Sequence, residues 1–269
     1  MKTTISTDVL SAAVAAVRSQ RPLVHNITNY VVMNNSANAL LAIGASPVMA
    51  HWKDEMEEMT AIAGALVINI GTLDSMWLSG MKAAGVAASR RGTPIVLDPV
   101  GAGATSQRTA AVVELIELCR PTIIRGNGSE IMAVANAWSK HIGSSDRGDG
   151  ESAKSKGVDS SASSDDAVQA ALRLAQQTGA VVVISGATDY ITDGKVVHTV
   201  EGGDEIMTAV TGMGCTATAL TGAFAAVCKD PMTAAVAAMA VMSAAGEKAA
   251  SQARGTARCR CIFWMNSIT

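Results

Sequence analysis

Short, mostly apolar runs recur along this chain, each separated from the next by enough residues for a helix. They are Ala65–Ile70 (ALVINI), Pro94–Leu97 (PIVL), Thr122–Ile124 and Gly179–Ile184 (GAVVVI). Runs without polar alternation suit strands buried on both faces. Such strands, alternating with helices, predict an α/β layered fold with a largely parallel central sheet flanked by helices. Helices are predicted over Thr7–Gln20, capped by Thr7 or Ser6, and from a cap at Asn29 to a terminal glycine at Gly44. Further helices are expected over Leu73–Ser89 and Ser106–Cys119, and from about Met213 and Pro231. Thr188–Thr192 and Lys195–Thr199 flank Asp193-Gly194, a hairpin signal. The stretch Ser139–Asp166 is rich in Ser, Gly and charge and reads as a surface loop within one domain covering 1–269, because strands of one style lie on both sides of it.

Composition narrows the class. Aromatics make up only 3% of the chain against 49% hydrophobic residues, so aliphatic side chains and 14 Met must fill the core. A formal net charge of −2 gives no basic excess to drive binding to nucleic acid or to a membrane surface. The polar start Met1–Leu10 does not read as a secretory leader, and the Ala-rich stretch Met232–Gly246 reads as a buried helix too short to span a bilayer. Five Cys without framework spacing fit a reducing cytoplasm.

The chemistry-bearing residues stand at strand ends. Asn69, Asp98, Arg125 and Ser185 fall where predicted strands stop. In open α/β sheets, that edge is where ligands bind. A second signal is Val210-Thr-Gly-Met-Gly-Cys215, two glycines one residue apart at the start of a small-residue helix. Gly212 and Gly214 would let backbone N–H groups and a helix N-terminus converge on an anion. Cys215 at that focus reads as a nucleophile, a base with a lowered pKa, or a small buried thiol. The histidines His25, His51, His141 and His198 stand in no protease-like context, which disfavours a Cys–His hydrolase. The GxxxxGK[ST] loop is absent, and Gly212 to Ala217 fits a dinucleotide fingerprint only on paper, since another helix follows instead of an acid-ended strand. Asp98 and Glu130, read blandly as a turn residue and a helix start, would together hold Mg²⁺ through waters, and Arg125 suits a nucleotide phosphate.

Six stretches carry a family resemblance: Pro22-Leu-Val-His-Asn-Ile-Thr-Asn29, Ala42-Ile-Gly-Ala-Ser-Pro-Val-Met49, Asn69-Ile-Gly-Thr72, Leu97-Asp-Pro-Val-Gly-Ala-Gly103, Ile124-Arg-Gly-Asn127 with Glu130, and Val210 to Cys215. In this order they resemble hydroxyethylthiazole kinase of thiamine salvage, a member of the ribokinase-like superfamily. The resemblance implies a ribokinase-like fold and transfer of the ATP γ-phosphoryl group to the hydroxyl of 4-methyl-5-(2-hydroxyethyl)thiazole, with Mg²⁺ as cofactor. It implies a homotrimer with the thiazole pocket between subunits, lined by Met49 and Asn29. Arg125 and Ser185 would contact ATP, Gly212 and Gly214 would form the anion hole, and Cys215 would stand where related sugar kinases carry a catalytic aspartate. Within the same superfamily, a carbon–oxygen lyase repairing hydrated nicotinamide cofactors is the alternative; a non-catalytic thiazole-binding module is another.

The tail departs from the family. Instead of a Pro-Gly-Ser-Phe type segment and a Phe-Leu-Asp helix, the chain ends Gly255-Thr-Ala-Arg-Cys-Arg-Cys-Ile-Phe-Trp-Met-Asn-Ser-Ile-Thr269. Cys259-x-Cys261 lacks the partners of a zinc site. Read from the third base of each codon, Phe263-Trp264-Met265-Asn266 becomes Leu-Asp-Glu, which points to a change of reading frame near Ala257. If the written tail is translated, Cys259 and Cys261 are expected to be exposed and open to oxidation.

Overall fold

The computed structural model describes residues 5–145 and 164–253, together with residues 255, 256 and 259. The chain opens with α1 (Thr7–Gln20), β1 (Leu23–Ile27), α2 (Met33–Ile43), β2 (Ser46–Val48) and α3 (Met56–Ile62). It continues through β3 (Ala65–Asn69), α4 (Ser75–Arg91), β4 (Ile95–Asp98), α5 (Ser106–Cys119), β5 (Ile123–Asn127) and α6 (Gly128–Ser145). The remaining elements are α7 (Ser164–Thr178), β6 (Val181–Ser185), β7 (Thr188–Thr192), β8 (Val197–Glu201), α8 (Met213–Val227) and α9 (Pro231–Gln252).

The strands form one eight-stranded sheet in the order β2-β1-β3-β4-β5-β6-β7-β8. The first six run parallel, and β7 and β8 are added antiparallel through hairpins. Because β2 and β3 pair on opposite sides of β1, the sheet changes its direction of growth there, and the crevice outside the carboxyl ends of β1 and β3 is a topological switch point.

Strand parity sorts the core into two faces. Val24, Val67, Val96, Ile123, Val181 and Val183 pack under α1, α2, α8 and α9. Ile27, Leu66, Ile68, Leu97, Ile124 and Val182 pack under the helices of the other side, α3 to α7. Helix α8 is enclosed by the sheet, α1, α2 and α9, and Thr216 to Ala225 are buried without a break. Its seat is close: a Cβ on Gly222 would lie 2.5 Å from Val67 Cγ2 and 3.0 Å from Val24 Cγ1, so only glycine fits.

The predicted α1 and α5 coincide with the observed helices, and Gly44 ends α2 in the left-handed conformation as expected. Asn29 is not a helix cap: α2 starts after Val32, and the Asn29 side chain is drawn into the strand-end network instead. The expected loop Ser139–Asp166 is helical at both its ends, where α6 runs to Ser145 and α7 starts at Ser164; 146–163 lie outside the described residues. Of the tail, Cys259 is buried against the α8–α9 side of the core and not exposed, while Cys261 and the segment that suggests a frame change lie outside the described residues. Among the described residues no helix is long and apolar enough to cross a membrane.

Candidate active site

The site grows out of register. Asn69 pairs with Asp98 across β3 and β4, and Leu97 pairs with Ile124, which puts Arg125 level with Asp98 on the next strand. Each follows a residue packed on the α3–α7 side, so all three side chains turn to the α8 side at one height. They are joined there. Asn69 Nδ2 donates to Asp98 Oδ2 at 2.8 Å, and Thr218 Oγ1, from the second turn of α8, donates to the same oxygen at 2.6 Å. Arg125 Nη1 donates to the Gly214 carbonyl at 2.9 Å and Nη2 to Ser185 Oγ at 2.6 Å. Asn29, at the switch point, donates to Asn69 Oδ1 at 2.8 Å and to Cys215 Sγ at 3.4 Å.

This network brings Asn29, Asp98, Arg125, Ser185, Gly214 and Cys215 together at the foot of α8. Gly212 caps that helix at φ +87°, a left-handed conformation that glycine adopts without strain. The first-turn N–H groups of Gly214 and Cys215 have no intrahelical acceptor and carry the positive end of the helix dipole.

The electrostatics separate the two candidate acid–base groups. Asp98 is buried, and loss of solvent pushes its carboxyl up to about 6; the Arg125 guanidinium and the Thr218 hydroxyl pull it down, Glu130 adds to the rise, and Asn69 opposes it. The Cys215 thiol is also pushed up, by burial first and then by the Asp98 charge, against hydrogen bonds from Asn69 and Asn29 and the charge of Arg125. The expectation of a lowered thiol pKa is therefore overturned. A helix N-terminus favours thiolate, but here desolvation and a neighbouring carboxylate outweigh it.

Glu130 stands one loop away. Its Oε1 accepts from Gly101 N at 2.8 Å and its Oε2 from Asn127 N at 2.9 Å, while Asn127 Oδ1 accepts from Glu130 N at 2.9 Å. This is a reciprocal cap on α6. With both oxygens accepting, Glu130 suits a cation reached through water. Among the described residues no three His, Cys, Asp or Glu side chains gather as an all-protein metal cage. Two carboxylates fit Mg²⁺, which keeps waters and takes ligands from substrate phosphates. Met49 follows β2 at the sheet edge, in a loop held by His25 Nε2 donating to Ala50 O at 2.9 Å and by the His51 ring stacked 3.6 Å from Trp77.

Some participants were not singled out from sequence. Thr218 lies four residues after Gly214, one helical turn on, a spacing that points it at the same strand tips. Asp189 sits behind Arg125; burial raises its carboxyl, while the Gly186 N–H and Arg125 lower it. Arg108, in α5, carries no motif at all.

Comparison with known proteins places the chain in a family. Residues 14–268 match the hydroxyethylthiazole kinase family. The chain is 55% identical over 246 residues to a hydroxyethylthiazole kinase of Vibrio parahaemolyticus, covering 91% of this chain and 87% of that one. A solved hydroxyethylthiazole kinase protein from Pyrococcus horikoshii superposes with a TM-score of 0.85 at 40% identity, covering 97% of this chain and 93% of the other. A ribokinase-like superfamily protein from Enterococcus faecalis, at 13% identity, covers 98% of this chain and 96% of its own with a TM-score of 0.63, and so shares the fold. On a ribokinase-like scaffold with this strand-tip network, the chain belongs to the hydroxyethylthiazole kinase family.

Proposed function

We propose that this kinase transfers the γ-phosphoryl group of ATP to the primary hydroxyl of 4-methyl-5-(2-hydroxyethyl)thiazole. The observation that carries the reading is the row Asn69–Asp98–Arg125 under the N-terminus of α8, where acidic, cationic and backbone donor groups meet at the open edge of the sheet. Phosphoryl transfer passes through a loose transition state, and positioning with charge neutralisation supplies most of the rate.

The roles follow from the groups. The N–H groups of Gly214 and Cys215, turned outward by Gly212, receive the charge that develops on the transferred group. Arg125, fixed between Gly214 and Ser185, presents its remaining donors to nucleotide phosphate, and Ser185 borders the same site. Asp98, with Glu130 acting through water, would hold Mg²⁺, which supplies charge neutralisation for the phosphates when bound. Above its pKa of about 6, Asp98 carries the charge this requires. Cys215 retains its proton at neutral pH, so it orients the acceptor hydroxyl and is replaceable; a loose transition state needs no strong base there. Asn29 and Met49 line the acceptor side. The side chains of Tyr30, Val31, Trp52 and Met76 are 59, 61, 60 and 65% exposed, which supports a neighbouring subunit covering this side, as a homotrimer with shared sites would require.

ADP release with the thiazole alcohol, ATP and Mg²⁺ tests the reading, against pyridoxal and hydroxymethylpyrimidine as alternative acceptors. Thiazole-dependent release at least about tenfold above both controls is expected, a margin worth about 1.4 kcal/mol in the transition state. Release with pyridoxal but not the thiazole would sink it.

A further inference from the structure

A half-buried arginine outside the network draws the two lips of the site together. Arg108 Nη1 donates to the Ile70 carbonyl at 2.8 Å and the Val100 carbonyl at 2.9 Å, and Nη2 donates to the Gly71 carbonyl at 2.7 Å. Ile70 and Gly71 follow β3, whereas Val100 follows β4. No carboxylate among the described residues lies within ion-pair distance of this guanidinium. Its acceptors are main-chain carbonyls of two loops, an arrangement that uses the planar fork of arginine and that a lysine ammonium, a single point of donation, does not reproduce.

What those loops carry gives the contact its meaning. Gly71 N donates to Asn69 Oδ1 at 3.0 Å, the oxygen that also accepts from Asn29. On the other lip, Gly101, the neighbour of Val100, donates its N–H to Glu130. Arg108 therefore closes a circuit that runs from Asn29 through Asn69 and Gly71, across its own guanidinium, to Val100, Gly101 and Glu130. One side of the circuit is the acceptor side and the other is the cation and nucleotide side. The anchor itself is firm: Arg108 N donates at 3.2 Å to Thr105 Oγ1, the cap of α5, so the side chain starts from a fixed helix turn.

We propose that Arg108 is a positioning residue for phosphoryl transfer: it holds the loop after β3 and the loop after β4 in one register, and so sets the distance between the acceptor hydroxyl and the γ-phosphate. This rests on the kinase reading above. Arg108 touches neither substrate in it. Its loss lets each lip keep its own ligand while the reacting atoms drift apart. An error on the order of 1 Å in such a distance costs up to about 100-fold in rate.

The experiment uses the full chain with R108K and R108Q substitutions, and an R108A variant assayed with and without millimolar guanidinium. Thermal midpoint, kcat, and KM for ATP and for the thiazole alcohol are measured at saturating Mg²⁺. Both single variants are expected to stay folded with kcat lowered about 10- to 100-fold and each KM within about threefold of wild type. R108A is expected to recover part of its kcat with guanidinium. If R108Q does not fold, R108K, which keeps the charge and most of the reach, decides the matter. A folded variant with wild-type kcat and only a lower melting temperature overturns the proposal, since that is the mark of a purely structural contact. A wild-type enzyme without thiazole-dependent turnover overturns the kinase reading, and the positioning role falls with it.

Discussion

The two faces of the sheet are built from different materials. Under α4 to α6 the core is filled mostly by longer side chains, among them Trp77, Met81, Leu115, Ile131 and Trp138. Under α8 and α9 it is largely alanine, with Ala217, Ala219, Ala223, Ala234, Ala235, Ala237 and Ala238 all buried and Gly222 pressed on Val67. Small residues let α8 lie close to the strands. Its first two turns then arrive at the level of Asn69, Asp98 and Arg125, where Gly214 meets Arg125 and Thr218 meets Asp98 directly. The long-chain face supplies burial in bulk; the small-residue face supplies a fixed distance. Substitutions on the first should change stability alone, and those on the second should change stability and catalysis together.

The largest effect is expected at Asp98. Asp98→Asn should lower kcat on the order of 1000-fold, comparable to losing a preorganised charge at a transition state. It should also stabilise the fold at high pH. A carboxyl at about 6 when folded and about 4 when unfolded binds its proton more tightly in the folded state. Its favourable contribution is complete below pH 4 and is lost as pH rises through 6, so the Asn variant gains about 3 kcal/mol at pH 8. Denaturant melts from pH 4 to pH 8 check this, and parallel curves for the two proteins would refute the burial argument. In the same way, wild-type kcat/KM should fall below about pH 6, as Asp98 takes up its proton.

Leu115→Ala, on the long-chain face, should cost about 3 kcal/mol in chemical denaturation and leave kcat and both KM values unchanged in the folded fraction. Altered kinetics there would erase the contrast between the faces. Gly222→Ala, on the other face, should cost about 1–3 kcal/mol by overpacking and, by lifting α8, should lower kcat as well. An unchanged kcat in that variant would show that the close seat of α8 serves packing only. The smallest effect is expected from Cys215→Asp, which should keep kcat within about tenfold of wild type, a change of about 1.4 kcal/mol in the barrier.

Much of this contrast was legible in the sequence. The apolar runs marked β3 to β6, and the residues that ended them named most of the strand-tip network, because a polar group tolerated at the end of a buried strand is seldom there for packing. Other elements hid for identifiable reasons. β1 carries His25 and Asn26 in its middle, so its sequence LVHNI does not read as an apolar run, and β2 carries Pro47. Helix α7 was submerged in a Ser-rich stretch, although its buried residues Ala167, Ala170, Ala171, Leu174 and Ala175 follow helical spacing. The state of Cys215 depends on how deeply the thiol is buried and on the proximity of Asp98, which only the assembled fold supplies. Arg108 left no trace, since its partners are carbonyls that every residue possesses.

The enclosure of α8 also bears on how this enzyme can be altered. A helix buried from Thr216 to Ala225 has no free side on which to try new side chains. Mutant libraries spread over it should return mostly collapsed or inactive proteins. Variation is better tried at Tyr30, Val31 and Trp52, which the fold of one subunit leaves exposed and which the proposed neighbouring subunit would cover, so its effects are expected on assembly as well as on the acceptor. The enclosed helix is closed to redesign, and the freedom to vary lies in side chains that the fold of a single subunit leaves uncovered.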